Sequence, residues 1–179
     1  MTDNDMKNNI RIKLRSQIYD LCTPELNEPE QAFTGDTLHF NEDSLHHPSM
    51  DDIIELTTEG ILIETDDQVE IAYEENEDMG MEDSRTALLL DKSNPRFVSM
   101  VRSGKNSASF IFDAENRRQQ CMYNTEFFPI ELCIVTNSVY AYTEGMSGKI
   151  SLDYTIEVRG VKTERNIMIV EFAPLPEDF

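Results

Sequence analysis

Short segments in which apolar and polar residues alternate fill this chain from about Asp51 to Phe172, and turn residues separate them. A period of two residues is typical of β-strands with one apolar face. No segment has a helical period long enough to connect parallel strands. Short connections therefore predict an all-β antiparallel meander of about 8 to 10 strands, and closure into a barrel is favoured because it removes exposed edges.

The first strand is predicted at residues 10–20, where Ile10, Ile12 and Leu14 alternate with basic residues. The barrel meander is predicted at residues 51–173, with a bend at Gly60. Prolines end the sheet and leave residues 174–179 as a tail. A chain of 179 residues is then expected to form a single barrel domain over residues 1–179.

Residues 23–50 interrupt the alternating pattern. Three prolines, one glycine and six acidic residues lie there, and no apolar period persists. A structureless stretch of this length is unusual in a compact domain and is normally functional or disordered. We therefore predict a long acidic insertion after the first strand, with mobility as the default expectation.

The negative charge is concentrated in one part of the chain. The formal net charge is −20, and no Lys or Arg occurs between Ser16 and Ser84, a stretch with 21 of the 35 acidic residues. Such a surface repels a phosphate backbone, so nucleic-acid binding is not expected. It attracts a basic protein partner, although acidic residues also serve simply to keep a protein in solution.

The sequence gives no sign of export or of a membrane. The amino terminus is polar, and no apolar run approaches the roughly 18 residues of a membrane span. The three cysteines form no CxxC pair. We predict a soluble, cytoplasmic protein with reduced thiols. A hairpin turning near residues 126–128 brings Cys121 and Cys133 nearly opposite each other, which leaves a cross-strand disulfide open, but two small apolar thiols are favoured.

Five short motifs, in this order and at these spacings, resemble the YwiB-like family of small bacterial proteins. They are ELTTEG at 55–60, IAYEE at 71–75, RSG at 102–104, SFIF at 109–112 and YNT at 123–125. The resemblance covers roughly residues 10–173 outside the acidic insertion. It implies a calycin-like, lipocalin-like β-barrel in a bacterial protein. It implies no activity, because the role of the family is unknown.

Alternation places Tyr73 and Glu75 on one face of a strand, and it places Arg102 on the apolar face of another. An Arg that points into a barrel needs a carboxylate partner, and Glu75 can supply one. Together with nearby hydroxyls, the guanidinium suits a small amphipathic or anionic ligand, such as one with a carboxylate. The alternatives are a structural pair that fixes strand register and a pair on the surface. The predicted ligand-binding residues are Tyr73, Glu75, Arg102, Ser109, Tyr123 and Thr125.

No residue pattern indicates catalysis, a metal or a cofactor. The three histidines all fall in the acidic insertion, and their spacing does not match a metal site. Neither a Gly-x-Ser-x-Gly turn nor a glycine-rich phosphate loop occurs. A non-enzymatic, cytoplasmic ligand-binding barrel is the leading hypothesis. The alternative is an interaction module whose acidic insertion docks a basic partner.

Overall fold

The protein is an all-β structure. The computed structural model describes residues 6–21, 53–75 and 83–176, and these contain ten strands and no helix. The strands are β1 (Met6–Asp20), β2 (Ile53–Glu64), β3 (Gln68–Glu74), β4 (Ser84–Asp91), β5 (Asn94–Gly104), β6 (Ala108–Asp113), β7 (Arg118–Asn124), β8 (Pro129–Glu144), β9 (Ser147–Val158) and β10 (Val161–Pro174).

Every strand pairs with antiparallel neighbours in a single sheet of order β6-β5-β4-β3-β2-β1-β10-β9-β8-β7. The first strand lies between β2 and the last strand, so that Leu14 is aligned with both Leu56 and Val170. Read around this order, the chain is a cyclic meander whose break falls between β6 and β7. The predicted antiparallel barrel of 8 to 10 strands is therefore confirmed.

The seam between β6 and β7 nearly closes the barrel. An isolated antiparallel bridge joins Ser107 to Asn124, with N–H···O distances of 2.9 and 2.8 Å. At the other end of the seam, the Thr136 hydroxyl accepts a hydrogen bond from the Asp113 N–H at 3.3 Å. The Thr136 N–H in turn donates to the Arg117 carbonyl at 2.8 Å. The seam is thus held at both ends although β6 and β7 share no ladder.

Alternation decides which side chains fill the barrel. On β1, Ile10, Ile12 and Leu14 are buried while the basic residues between them are exposed. Burying a side chain of this size contributes roughly 1.5–3 kcal/mol relative to leaving it in water. Most other strands repeat the pattern, whereas β3 and β8 each bury three consecutive residues. The largest fully buried side chains are Phe112, Ile10, Ile12, Leu62, Ile71, Leu88, Ile134, Ile150, Leu152, Val69, Val98 and Val170.

The connections fall at two ends because the meander runs up and down. We call end A the end with the connections β1–β2, β3–β4, β5–β6, β7–β8 and β9–β10. The last of these is a tight turn in which Arg159 and Gly160 both have positive φ, as hairpin turns of this length favour. Residues 22–52 and 76–82 lie outside the described residues. The acidic insertion at 23–50, which contains the three histidines, lies there too. Its mobility and its binding of a basic partner therefore stay predictions.

The predicted hairpin near residues 126–128 is present, but it does not bring the thiols together. The β7–β8 register aligns Cys121 with Leu132 and Cys133 with Gln120. Directly aligned residues share a face of a sheet, so these two thiols point to opposite faces. Both cysteines are free. Burial, with a smaller effect from Cys133, raises the pKa of Cys121 to about 11, so this thiol is not activated as a nucleophile.

A partly buried ion pair on the outer wall links β9 to β10. Arg165 donates to both carboxylate oxygens of Asp153, at 3.0 and 2.7 Å, and Asn137 adds a bond of 2.8 Å. Burial alone would raise the pKa of Asp153, but these hydrogen bonds outweigh it and hold the pKa below its ordinary value. A lowered folded-state pKa stabilises the fold above the unfolded value of about 3.9, and the stabilisation is lost as the pH falls through the folded value.

We therefore expect Asp153→Asn to lower the free energy of unfolding at pH 7 by about 1 kcal/mol, a modest value because the pair is partly exposed. The difference from the wild type should shrink as the pH falls below about 4. Urea titrations followed by circular dichroism between pH 7 and pH 3 measure both quantities. A difference that stays constant over this range would contradict the assigned role of the ionised carboxylate.

Candidate functional site

A row of inward-facing residues crosses four strands near end A. Strand register aligns Tyr73 with Thr86 and Thr86 with Arg102, and it aligns Arg102 with Ala108. Because directly aligned residues point to the same face, these side chains all enter the barrel. The next row toward end A begins at Glu75, whose N–H donates to the Ser84 carbonyl at 2.7 Å.

Glu75 and Arg102 form a buried ion pair in this region. Arg102 donates to Glu75 Oε1 from Nε at 3.1 Å and from Nη2 at 3.0 Å. The Thr86 hydroxyl donates to the same oxygen at 2.5 Å. The side chain of Glu75 is 0% exposed and that of Arg102 is 15% exposed. The partner that the sequence predicted for Arg102 is therefore the one the structure provides.

The neighbouring phenol belongs to this charged cluster. Burial is the largest influence on Tyr73, and together with the charge of Glu75 it raises the pKa of Tyr73 far above its ordinary value. Arg102 opposes this shift, but it does not overcome it. Tyr73 is consequently a neutral hydroxyl at any physiological pH and can donate or accept a hydrogen bond without changing charge.

The cluster borders a cavity of about 290 Å³ inside the barrel near end A. Most of the surface of its wall is apolar, which is typical of small-molecule sites, and polar residues interrupt it. The apolar lining residues are Leu14, Ile18, Ile54, Met100, Phe110, Leu132, Ile156 and Met168. The polar lining residues are Ser16, Tyr73, Arg102, Tyr123, Tyr154, Glu164 and Asn166.

Three of the six predicted site residues line this cavity: Tyr73, Arg102 and Tyr123. Glu75 lies behind Arg102 and holds it in place. Thr125 lies in the β7–β8 turn, where its hydroxyl accepts hydrogen bonds from the N–H groups of Phe127 and Phe128. Its hydroxyl is thus engaged by the turn itself.

Ser109, like Glu75 and Thr125, does not line the cavity, and its side chain points away from the barrel interior. It is exposed and lies between Ala108 and Phe110, both of which are buried. The alternation of β6 therefore turns Ser109 to the outer wall. We leave Ser109 out of the candidate site for this reason.

Sequence reasoning missed the polar residues that the other half of the barrel contributes. Asn166 donates to Glu164 at 2.7 Å, and both residues line the cavity. Tyr154 packs against Phe112 with ring centroids 4.8 Å apart. Burial is the largest influence on Tyr154, whose pKa is raised to about 12. The charge of Arg102 opposes this shift, and the charge of Glu164 adds to it. Inward parity on β9 and β10 was readable from the apolar residues around them, and it is the signal that identifies these positions.

No group of three or more residues able to hold a metal ion occurs within residues 6–21, 53–75 and 83–176. The same ranges contain no helix long and apolar enough to cross a membrane. The chemistry of the described site is that of an apolar cavity with a neutralised Arg–Glu pair and phenolic hydroxyls at its edge.

Comparisons with known proteins agree with this architecture. The chain is similar over 95% of its length to the solved crystal structure of the YwiB protein from Bacillus subtilis, of which the match covers 94%, with a TM-score of 0.66 and 18% sequence identity. A likeness at this identity concerns the fold. A search of the curated proteins finds no match.

The family whose model matches the chain is described as "Domain of unknown function (DUF1934)", and the match spans residues 39–169. These residues comprise most of the chain, from before β2 to within β10. The resemblance that the five sequence motifs indicated is thereby confirmed. The chain belongs to the DUF1934 family, a family of unknown function with a YwiB-like β-barrel fold.

Proposed function

We propose that this barrel binds a small amphipathic molecule, with the apolar part of the molecule in the inner cavity and its head group against Arg102 and the neighbouring phenols. The observation that supports this most is the cavity itself: about 290 Å³, with a wall whose surface is mainly apolar and that includes Arg102 and three tyrosines. Sites for small molecules have this composition and begin at about this size.

The polar edge of the cavity adds to the proposal. Arg102 reaches the cavity while Glu75 holds two of its guanidinium nitrogens, so its position is fixed before any ligand arrives. A fixed donor costs less entropy on binding than a mobile one. The buried pair is thus suited to orient a head group while Met100 and Met168 adapt to the apolar portion.

A substitution that fills the cavity tests the proposal. Met168 is 6% exposed and lines the cavity. We expect Met168→Trp to weaken binding of the uncharged fluorescent amphipath N-phenyl-1-naphthylamine by about tenfold or more, because the indole occupies space that the probe needs. Fluorescence titration measures the dissociation constant, and native mass spectrometry of the purified wild type detects any molecule that remains bound.

The matched control is Met146→Trp, since Met146 lies outside the cavity and is 36% exposed. It introduces the same side chain without filling the cavity, so we expect the wild-type affinity. Equal probe affinity in the wild type and Met168→Trp, with both proteins folded, would show that the probe does not occupy this cavity and would refute the proposed site.

A further inference from the structure

We propose that the head group bound in this cavity is uncharged and accepts a hydrogen bond from Arg102, as a carboxamide does, and that a carboxylate or phosphate is rejected. The proposal deepens the proposed function and rests on it. It concerns the chemical class of the ligand, and it follows from how the charges around the cavity are already paired.

The carboxylate of Glu75 compensates the positive charge of Arg102. One oxygen of this carboxylate, Oε1, accepts hydrogen bonds from both Nε and Nη2 of Arg102, at 3.1 and 3.0 Å. The carboxylate is completely buried, so water does not weaken the attraction. A guanidinium in this state still offers Nη1, for which the described residues provide no hydrogen-bond acceptor, but it offers little net charge to an anion.

Among the described residues, Arg102 is the one cation that pairs with Glu75. Its Oε1 receives three donors, whereas no donor among the described residues reaches its Oε2, which is buried. An anionic ligand would have to draw Arg102 away from this carboxylate or share it. Either arrangement places two negative charges beside one cation in a site of low dielectric, which is unfavourable.

The other lining residues do not change this balance. Among the described residues that line the cavity, Arg102 is the only Lys or Arg, and Glu164 adds a carboxylate to that of Glu75 behind Arg102. The remaining donors are neutral. Tyr154 keeps its proton because burial raises its pKa to about 12. An uncharged acceptor gains hydrogen bonds from Nη1 and the phenols without disturbing the ion pair.

Two probes with the same apolar chain separate the head groups: octanamide is uncharged and octanoate is anionic. Met100 and Met168 line the cavity, so their methyl signals in a protein labelled with ¹³C-methyl methionine report binding there. Met146 and Met122 are exposed and do not line the cavity, and they serve as internal controls. We expect the wild type at pH 7 to bind octanamide at least about tenfold more tightly than octanoate.

Glu75→Gln reverses the charge balance with little change in shape. It leaves Arg102 as a cation without a carboxylate, so we expect octanoate to bind about tenfold more tightly than it binds the wild type. Octanamide affinity should change much less. The control is Glu171→Gln on the outer wall, which removes the carboxylate from the Lys149–Glu171 pair and should leave the preference for octanamide unchanged.

The outcomes distinguish this proposal from the proposed function. If octanoate binds the wild type as tightly as octanamide and shifts the Met100 and Met168 methyl signals, the cavity binds amphipaths and the uncharged head group is wrong. If neither probe shifts these signals and N-phenyl-1-naphthylamine does not bind, both proposals fail. The comparison in the wild type decides the class of ligand even if Glu75→Gln proves too unstable to study.

Discussion

Replacing Arg102 with Met is expected to lower the free energy of unfolding by about 3–5 kcal/mol, the usual cost of removing one partner from a buried ion pair. The variant leaves Glu75 with Thr86 as its one side-chain hydrogen-bond donor among the described residues. The carboxylate is 0% exposed, so water cannot replace the lost guanidinium. Urea denaturation at pH 7, followed by circular dichroism, measures the change.

Two controls identify the cause. The double variant Glu75→Gln/Arg102→Met removes both charges of this pair, so it should recover a substantial part of the lost stability. Arg15→Met breaks an ion pair with Glu55, with an N···O distance of 3.4 Å, in which the Arg side chain is 52% exposed and the Glu side chain 70% exposed. We expect a much smaller effect there, because water reaches the carboxylate that is left behind. Equal losses in Arg102→Met and Arg15→Met would contradict the importance of burial.

The strands of this protein were predictable because their signals are local. Alternation and turn residues predicted a meander over residues 51–173, and the structure places the nine strands from β2 to β10 between Ile53 and Pro174. The first strand was predicted to begin at Ile10 but begins at Met6. Its polar start, with Asn8 and Asn9 aligned with Leu62 and Ile61, is held by the ladder with β2. Backbone pairing does not require an alternating apolar pattern, so the residue pattern did not indicate that β1 extends back to Met6.

The candidate site was predictable only in part. Alternation along a strand tells which residues share a face, and the residues that were predicted correctly are the ones for which this is enough. Parity along single strands placed Tyr73 and Glu75 on one face and identified Glu75 as the partner of Arg102. The same parity excludes Ser109, which was chosen for its hydroxyl although its neighbours Ala108 and Phe110 are the inward residues.

The position of the β9 and β10 residues relative to the Glu75–Arg102 pair could not be predicted from local pattern. Tyr154 meets Phe112 of β6 across the barrel, a contact that depends on how the sheet closes. A register shift between Lys162 and Glu164 also interrupts the regular pairing of β9 with β10 just before the cavity. Glu164 and Asn166 lie on the regular side of this shift, so alternation counted back from Val170 and Met168 gives their inward face. Alternation does not give which residues of the other half of the barrel they approach.

Gly104→Ala is the second change expected to have a large effect, about 4 kcal/mol of lost unfolding free energy, from backbone strain and steric overlap together. Gly104 has a φ of +128°, a conformation that side chains rarely permit. An added Cβ would lie 2.2 Å from the carbonyl oxygen of Asp83 and 2.9 Å from the Cα of Ser84. These are backbone atoms, so no side-chain rotation relieves the overlap.

Gly145→Ala is the matched control, since Gly145 also has a positive φ, +58°, but nothing lies within 4 Å of its added Cβ. It should cost about 1 kcal/mol, the conformational part alone. Equal losses in the two variants would mean that the steric overlap of the added Cβ with the backbone of β4 does not contribute to the destabilisation of Gly104→Ala.

The position of Gly104 links this stability effect to the candidate site. Gly104 is aligned with Ser84, and the Ser84 carbonyl accepts the N–H of Glu75. A Cβ that displaces Ser84 therefore also displaces Glu75 and, through it, Arg102. At a temperature where Gly104→Ala is still folded, we expect it to weaken octanamide binding, whereas Gly145→Ala keeps the wild-type affinity. The methyl shifts of Met100 and Met168 measure this loss directly, because both side chains line the cavity. Binding is lost while the barrel is still folded, because a small displacement of Arg102 is enough to misplace the hydrogen bonds to the ligand.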